Sequence, residues 1–443
     1  MNRASRSRFM TWMASERAQR VTRGMAAAKA TFTRQGKRVH CFIELDDPYS
    51  YLLSRYLPAL EKSFDITIEY HLVESLGGAY RPCPEMQAEY ALVDCARVAR
   101  ELGIPFLDKG AAPPVEHRRA ILEYLAEREG DDAFGAELLQ VLAYYWRGDT
   151  ANIGRRAEGV QAQQGAVAML DRNARRLEKL GHFVGGTLLF GGEWYSGVDR
   201  LDYLIRRLAD AGRARGDTLD RELVALQQVL QPDLPVTPPN AAKALPALDL
   251  FFSFRSPYSY VGLRSLTAVA DAFGLDVRLR PVLPMMMRGM QVPRNKAGYF
   301  MSDSGREARR HGLSMARISD PLGAGVERCH AVFTYAAAQR RGRDFVFAAT
   351  TAIWERGLDL ATDKGMRAVS DEAGLSWPDV VEAMGDDSWR TAAEENRESM
   401  TESGLWGVPT VRMGDFVAWG QDRDWLLARH LEDLCDTGEG ILI

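Results

Sequence analysis

The sequence predicts an α/β protein of two domains, each building one mixed sheet, covering it with helices and carrying an inserted helical bundle. Three observations predict it. A chain of 443 residues is too long for one ordinary core, because domains cluster near 100 to 200 residues. A thirteen-residue pattern recurs: Val39-His40-Cys41-Phe42-Ile43-Glu44-Leu45-Asp46-Asp47-Pro48-Tyr49-Ser50-Tyr51 is echoed by Leu248-Asp249-Leu250-Phe251-Phe252-Ser253-Phe254-Arg255-Ser256-Pro257-Tyr258-Ser259-Tyr260, an offset of 209 residues. Between the copies, residues 231–240 hold four prolines, which suits an extended linker and neither a helix nor a central strand.

The repeat continues in order. Tyr90, Asp94 and Gly103 match Tyr299, Asp303 and Gly312 at the same offset, and Gly197-Val198-Asp199-Arg200 matches Gly420-Gln421-Asp422-Arg423 at an offset of 223. These matches divide the chain into a basic extension over 1–38, a first domain over 39–230, a linker over 231–244 and a second domain over 245–435. The extension carries ten Lys or Arg against the single acid Glu16; a transit peptide, a contact with an anionic surface and a domain-packing arm all share that composition, and it is given no function.

Hydrophobic content of 46%, charged content of 26% and a formal net charge of −4 are globular values that favour neither a nucleic-acid nor a membrane partner. The five cysteines, Cys41, Cys83, Cys95, Cys329 and Cys435, are scattered, odd in number and never spaced as C-x-x-C or as zinc ligands, which points to a reducing compartment. No run of 18 to 20 apolar residues and no secretory apolar core occur, so the expected location is cytoplasmic. No metal is expected either, since the seven histidines do not pair at ligand spacing and no H-E-x-x-H, P-loop or G-x-G-x-x-G follows a strand.

Each copy opens with a short apolar strand, passes at Asp47-Pro48 or Ser256-Pro257 into a helix, and returns by a strand at Ile66–Val73 or Val277–Leu283. Helical apolar spacing follows in Ala120–Leu125, Leu138–Tyr145, Val326–Ala338 and Phe345–Trp354, and these segments form the insert. A hairpin-like stretch, Thr187–Tyr195 or Thr410–Trp419, and a final helix close each copy. Gly185-Gly186 and Gly191-Gly192 are turn signals.

Three motifs in the second copy carry chemistry. Ser256-Pro257 places a hydroxyl and the free N–H groups of a helix start together, a place that stabilises an anion and that also suits a plain helix cap. Gly407-Val408-Pro409-Thr410 precedes a strand, where a proline can adopt a cis bond and leave the preceding backbone to pair with an extended ligand, or simply lead into an edge strand. Gly420-Gln421-Asp422-Arg423 sets an acid at the start of the last helix, again a capping position.

In this order and spacing, with the helical insert between them, the three motifs resemble the 2-hydroxychromene-2-carboxylate isomerases and kappa-class glutathione transferases of the DsbA-like thioredoxin superfamily. The resemblance covers essentially all of 247–432 and implies that both domains are thioredoxin-like, of DsbA type, in tandem duplication. It implies glutathione as cofactor, with Ser256 in place of the reactive cysteine and hydrogen-bonded to the glutathione sulfur. Val408 then pairs with the cysteinyl part beside a cis Pro409, Gln421 and Asp422 hold the γ-glutamyl end, and Lys296 with Asn295 meets a carboxylate. A tripeptide with two carboxylates and one ammonium calls for a cation at one end and an acid at the other. The implied activity is isomerisation, or transfer of glutathione, on an unsaturated aromatic or chromene-type carboxylate.

Two departures bear on the substrate: Ser253 stands where many relatives carry aspartate, and Arg255 is bulkier and more basic than is usual there. Met285, Met286, Met287 and Met290 either line an apolar pocket or fill core gaps. The first copy replaces three contacts at once, with Asp47 for the serine, Gly186 for the proline and Gln87 for the lysine. A carboxylate beside a thiolate raises the thiol pKa, so this domain is read as a non-catalytic partner, and the chain as a monomeric pseudo-dimer or a homodimer. Two other function classes stay open: a thiol–disulfide oxidoreductase relative, against which the absence of cysteine at 253–260 weighs, and a non-catalytic glutathione-binding or scaffold protein.

Overall fold

The computed structural model describes residues 2–33, 36–107, 113, 118–160, 165–231, 234–239 and 245–437. Residues 232–233 and 240–244 of the expected linker lie outside them. The chain forms two compact units, one of Arg20–Gln231 and one of Met1–Gln19 with Pro232–Ile443.

In the N-terminal unit, β1 (Arg38–Ile43) pairs in parallel with β2 (Thr67–Leu72) and antiparallel with β3 (Thr187–Phe190), which turns into β4 (Glu193–Ser196). Gly191 and Gly192, at φ 57° and 82°, form the two-residue turn between β3 and β4; both positions of such a turn need positive φ, which glycine adopts without penalty. The sheet order is β2-β1-β3-β4. Helices between Pro84 and Leu180 form the insert.

The C-terminal unit repeats the plan. β5 (Leu248–Phe252) is wholly buried and pairs in parallel with β6 (Val277–Pro281) and antiparallel with β7 (Thr410–Met413), which turns into β8 (Phe416–Trp419). The order is β6-β5-β7-β8, with the same strand directions as in the first sheet. Between β5 and β6 runs the Pro257–Phe273 helix, with Ser256 as N-cap, Pro257 in its first turn and Gly274 in the left-handed conformation after its end. That is the sequence signature of a well-bounded helix. Helices from Arg294 to Glu402 form the insert, and Asp424–Thr437 closes the unit.

The basic extension contains two helices, Arg3–Ala14 and Glu16–Thr33, and the division between the units falls within the second. The first helix docks on the C-terminal unit through polar contacts. Ile318 N–H donates to Thr11 Oγ1 at 3.0 Å, Asp320 N–H to Ser7 Oγ at 2.9 Å, and Arg309 to the Ala14 carbonyl at 2.9 Å. Gly305 faces Ala14, whose carbonyl would overlap any added Cβ. Arg6 of this helix is spent on a buried partner, Asp320, which also accepts from Arg255.

Candidate functional site

Ser256 closes the first turn of its helix: Ser259 N–H donates to Ser256 Oγ at 3.1 Å. This uses a lone pair of the hydroxyl and leaves its proton to donate outward. Ser256 is half-buried, while Ser253, three residues earlier, is buried and its Oγ has no hydrogen-bond partner among the described residues. A buried unpaired hydroxyl costs about 1–3 kcal/mol, so a polar group arriving beside it is favoured. Arg255 takes no part; its guanidinium is turned to Asp320 at 2.7 and 3.3 Å.

The Val408–Pro409 bond is cis. Pro409 packs on the helix headed by Ser256, and only a glycine permits it: a Cβ on Gly262 would stand 2.7 Å from Pro409 Cγ and 3.4 Å from Gln421 Cβ. Gly262 lies about 9 Å along the helix from Ser256, at 1.5 Å per residue. The serine helix, the Val408–Pro409 loop and the Gln421 turn thus meet at one place. Gly420 N–H donates to the Pro409 carbonyl at 3.0 Å and Ser265 Oγ to the Gln421 carbonyl at 3.2 Å, tying all three. Gly262→Ala is expected to lower stability by about 1–3 kcal/mol, the cost of overpacking, and to weaken any ligand held by this loop; a thermal melt with a binding titration checks both.

The Gln421 end is acidic. Gln421 is buried and donates to Glu307 Oε2 at 3.2 Å, and half-buried Asp422 stands in the 3₁₀ turn 421–423. Asp424 is buried beside them. Burial first, then the charges of Asp422 and Glu307, push its carboxyl up to about 7, against the opposing hydrogen bond from Trp425 N–H. Arg423 lies 3.7 Å from Asp422, so an incoming ammonium would share that carboxylate with it.

The opposite sign is supplied by Lys296, in the first turn of the Arg294–Arg310 helix with half-buried Asn295 beside it. Lys296 is 4% exposed, and burial pulls its pKa down to about 8. Its Nζ lies 5.6 Å from the Phe300 ring centre and 5.7 Å from that of Trp406, within cation–π range. Trp406 leads directly into Gly407-Val408-Pro409, and Tyr258 of the serine motif donates to Asp303 Oδ2 at 2.9 Å on the lysine helix. Asp303 is therefore a tether for Tyr258 and for Arg306, and the same tether recurs in the N-terminal unit as Tyr49 to Asp94 at 2.8 Å.

Of the two readings open for the methionines, core filling is not what they do: Met285, Met287 and Met290 are half-buried and Met286 is 42% exposed. His330, by contrast, is core, edge-on to Phe254 and beside Trp389, with burial driving its pKa down to about 3.

The corresponding place in the N-terminal unit is filled by its own side chains. Asp47 caps its helix by accepting from Tyr49 and Ser50 N–H, and also accepts from Ser50 Oγ at 2.8 Å. Gly186, at φ 62°, comes so close that a Cβ would lie 2.9 Å from Asp47 Oδ2. Glu44, at the position of Ser253, is bonded by Ser75 and faces Arg81. Burial, then Asp47, pushes the Glu44 carboxyl up to about 7; burial likewise raises Asp47. This is an acid pair where the C-terminal unit has two serines.

Residues 247–432 match a family model described as a DSBA-like thioredoxin domain, and the C-terminal half carries that fold. The 2-hydroxychromene-2-carboxylate isomerase of Pseudomonas putida is 24% identical over 196 residues, 42% of this chain and 95% of the relative. That of Sphingobium xenophagum is 25% identical over 194 residues, 42% of this chain and 98% of the relative. A solved structure of 2-hydroxychromene-2-carboxylate isomerase covers 44% of this chain and 100% of its own, at 23% identity and a TM-score of 0.39.

Proposed function

We propose that the C-terminal half is a glutathione-dependent isomerase, or a glutathione transferase, acting on an unsaturated aromatic or chromene-type carboxylate. The observation that carries the reading is the meeting of the Ser256 helix, the cis Val408–Pro409 loop and the Gln421 turn around Gly262, between an acidic end and a buried lysine. The donor set fits glutathione: Asp422, Glu307 and Gln421 for the γ-glutamyl ammonium, the Val408 backbone for the cysteinyl unit, and Lys296 with Asn295 for a carboxylate. When bound, glutathione would supply a thiolate nucleophile toward an electrophilic unsaturated carbon, regenerated in the isomerase version and retained on the product in the transferase version.

The chain's own part is electrostatic. Ser256 donates its proton toward the sulfur and, with the helix N-terminus, favours the ionised thiol. Lys296 holds negative charge in a place poor in water, where an ion pair is strong. The isomerase relatives favour this reading over a thiol–disulfide oxidoreductase, and so does the lack of cysteine at 253–260. All five cysteines are free, and no helix among the described residues is long and apolar enough to cross a membrane. The shared strand order and the twice-built Tyr–Asp tether support reading the N-terminal unit as a duplicated, non-catalytic copy.

Calorimetric titration of reduced glutathione into the wild type and Asp422→Ala tests the proposal. Binding that weakens about tenfold or more, 1.4 kcal/mol, in the variant is expected. No binding by the wild type would leave a scaffold protein as the better reading.

A further inference from the structure

His40, Glu69 and His71 come together on the N-terminal sheet. β1 and β2 pair in parallel with His40 opposite Glu69 and Phe42 opposite His71. Side chains alternate along a strand, so these four project to one face. His40 Nδ1 lies 3.2 Å from His71 Nε2, and Glu69 reaches both, its Oε2 3.5 Å from His40 Nδ1 and its Oε1 3.5 Å from His71 Nε2. One donor atom from each residue falls within 4.8 Å of the other two. A tetrahedral ion with nitrogen and oxygen ligands at about 2.0–2.2 Å holds its donors about 3.3–3.5 Å apart, close to the 3.2 Å between the imidazole nitrogens and the 3.5 Å from each of them to its nearer Glu69 oxygen.

We propose that His40, Glu69 and His71 form a binding site for a divalent transition metal of zinc type, with a fourth position open to solvent or to an anion. Two imidazoles and a carboxylate are a donor set for zinc and its neighbours, not for calcium or magnesium. The burial is graded, with side-chain exposures of 5% for His71, 18% for His40 and 29% for Glu69, so the inner ligand is fixed and the outer carboxylate marks an entry path. Phe42 stacks on His71 with ring centres 4.7 Å apart and holds the imidazole plane.

Glu69 is also bonded by Arg38 at 2.8 Å and Arg176 at 2.9 Å, one to each oxygen. Each carboxylate oxygen has a second lone pair, so these bonds can orient the ligand while the remaining pair reaches the ion. Arg176 also comes within 3.5 Å of His40 Nδ1, and Lys29 is in electrostatic range. Three cations around a dication favour an anionic fourth ligand, such as chloride, phosphate or a carboxylate. Sequence spacing conceals the site, because its histidines are 31 residues apart and meet only through the register of the strands.

The proposal does not rest on the function assigned to the C-terminal half. The test uses the full untagged chain, stripped with a chelator, then titrated with Zn²⁺ by calorimetry and with Co²⁺ by visible absorption. One site per chain is expected, with the intense d–d bands of tetrahedral Co²⁺. Binding should weaken about tenfold or more in His40→Gln and in Glu69→Gln. Both residues are partly exposed, and a thermal melt verifies folding; two variants are made so that a folding defect in one leaves the other decisive. No binding by the wild type, or undiminished binding by a folded variant, overturns the site and leaves a metal-free hydrogen-bonded network.

Discussion

Replacing Ser256 by alanine is expected to lower turnover with glutathione by about two to three orders of magnitude, the loss that follows removal of one preorganised donor from a developing or held anion. The folded state should survive. Ser256 Oγ also caps its helix by accepting from Ser259 N–H, and a lost N-cap costs about 1 kcal/mol, a small part of a domain's stability. The two roles separate experimentally. The capping loss moves the melting temperature and leaves the bound thiol's pKa untouched, whereas loss of the donated proton raises that pKa, read from the ultraviolet absorbance of the thiolate across a pH series. A variant that melts lower but ionises glutathione normally would reduce Ser256 to a cap. Ser256→Gly, which costs the helix only a few tenths of a kcal/mol, should match alanine in turnover and sit closer to wild type in stability.

The local grammar of the chain makes much of this site legible. Asp47-Pro48 and Ser256-Pro257 announce helix starts because a capping side chain and a proline at the first position leave few alternatives. The first hairpin follows from Gly191-Gly192, a pair that a tight turn requires. What local grammar does not carry is how motifs converge. Gly262 is an unremarked residue in a helical pattern, yet its missing Cβ lets Pro409 and Gln421 reach the serine helix. The environment of Lys296 depends on Trp406, more than a hundred residues away, and the methionines at 285–290 look apolar enough for a core, yet Met286 is exposed and the others are only half-buried. The helices of the basic extension were hidden for a different reason. Few of their side chains are buried, Met10, Ala14 and Ala18 among them, so the apolar stripe is too narrow to mark the docking face.

That extension leads to the other large effect. Asp320→Ala is expected to destabilise the C-terminal unit by about 3–5 kcal/mol, because removing one member of a buried charge cluster strands the others. Asp320 has no exposed side-chain surface. It accepts from Arg255 Nε and Arg6 Nε, both at 2.7 Å, and from Leu322 N–H at 3.2 Å, joining the first turns of the chain to the residue before Ser256. Burial alone would raise its carboxyl, but the hydrogen bond and charge of Arg255 and the bond from Arg6 outweigh burial and hold it below the ordinary aspartate value. The sign of the pH dependence follows. A depressed folded-state pKa contributes stability that is fully present above the unfolded value of about 3.9 and is lost as pH falls through the folded value. Wild type should therefore lose part of its advantage over Asp320→Ala between about pH 4 and the lower folded pKa, and the two melting temperatures should converge in acid. Asp320→Asn, which keeps an acceptor but not the charge, should fall between them at neutral pH. Limited proteolysis after the Arg3–Ala14 helix reads the same break locally: both variants should release it faster than wild type, since Arg6 and Arg255 share the one carboxylate.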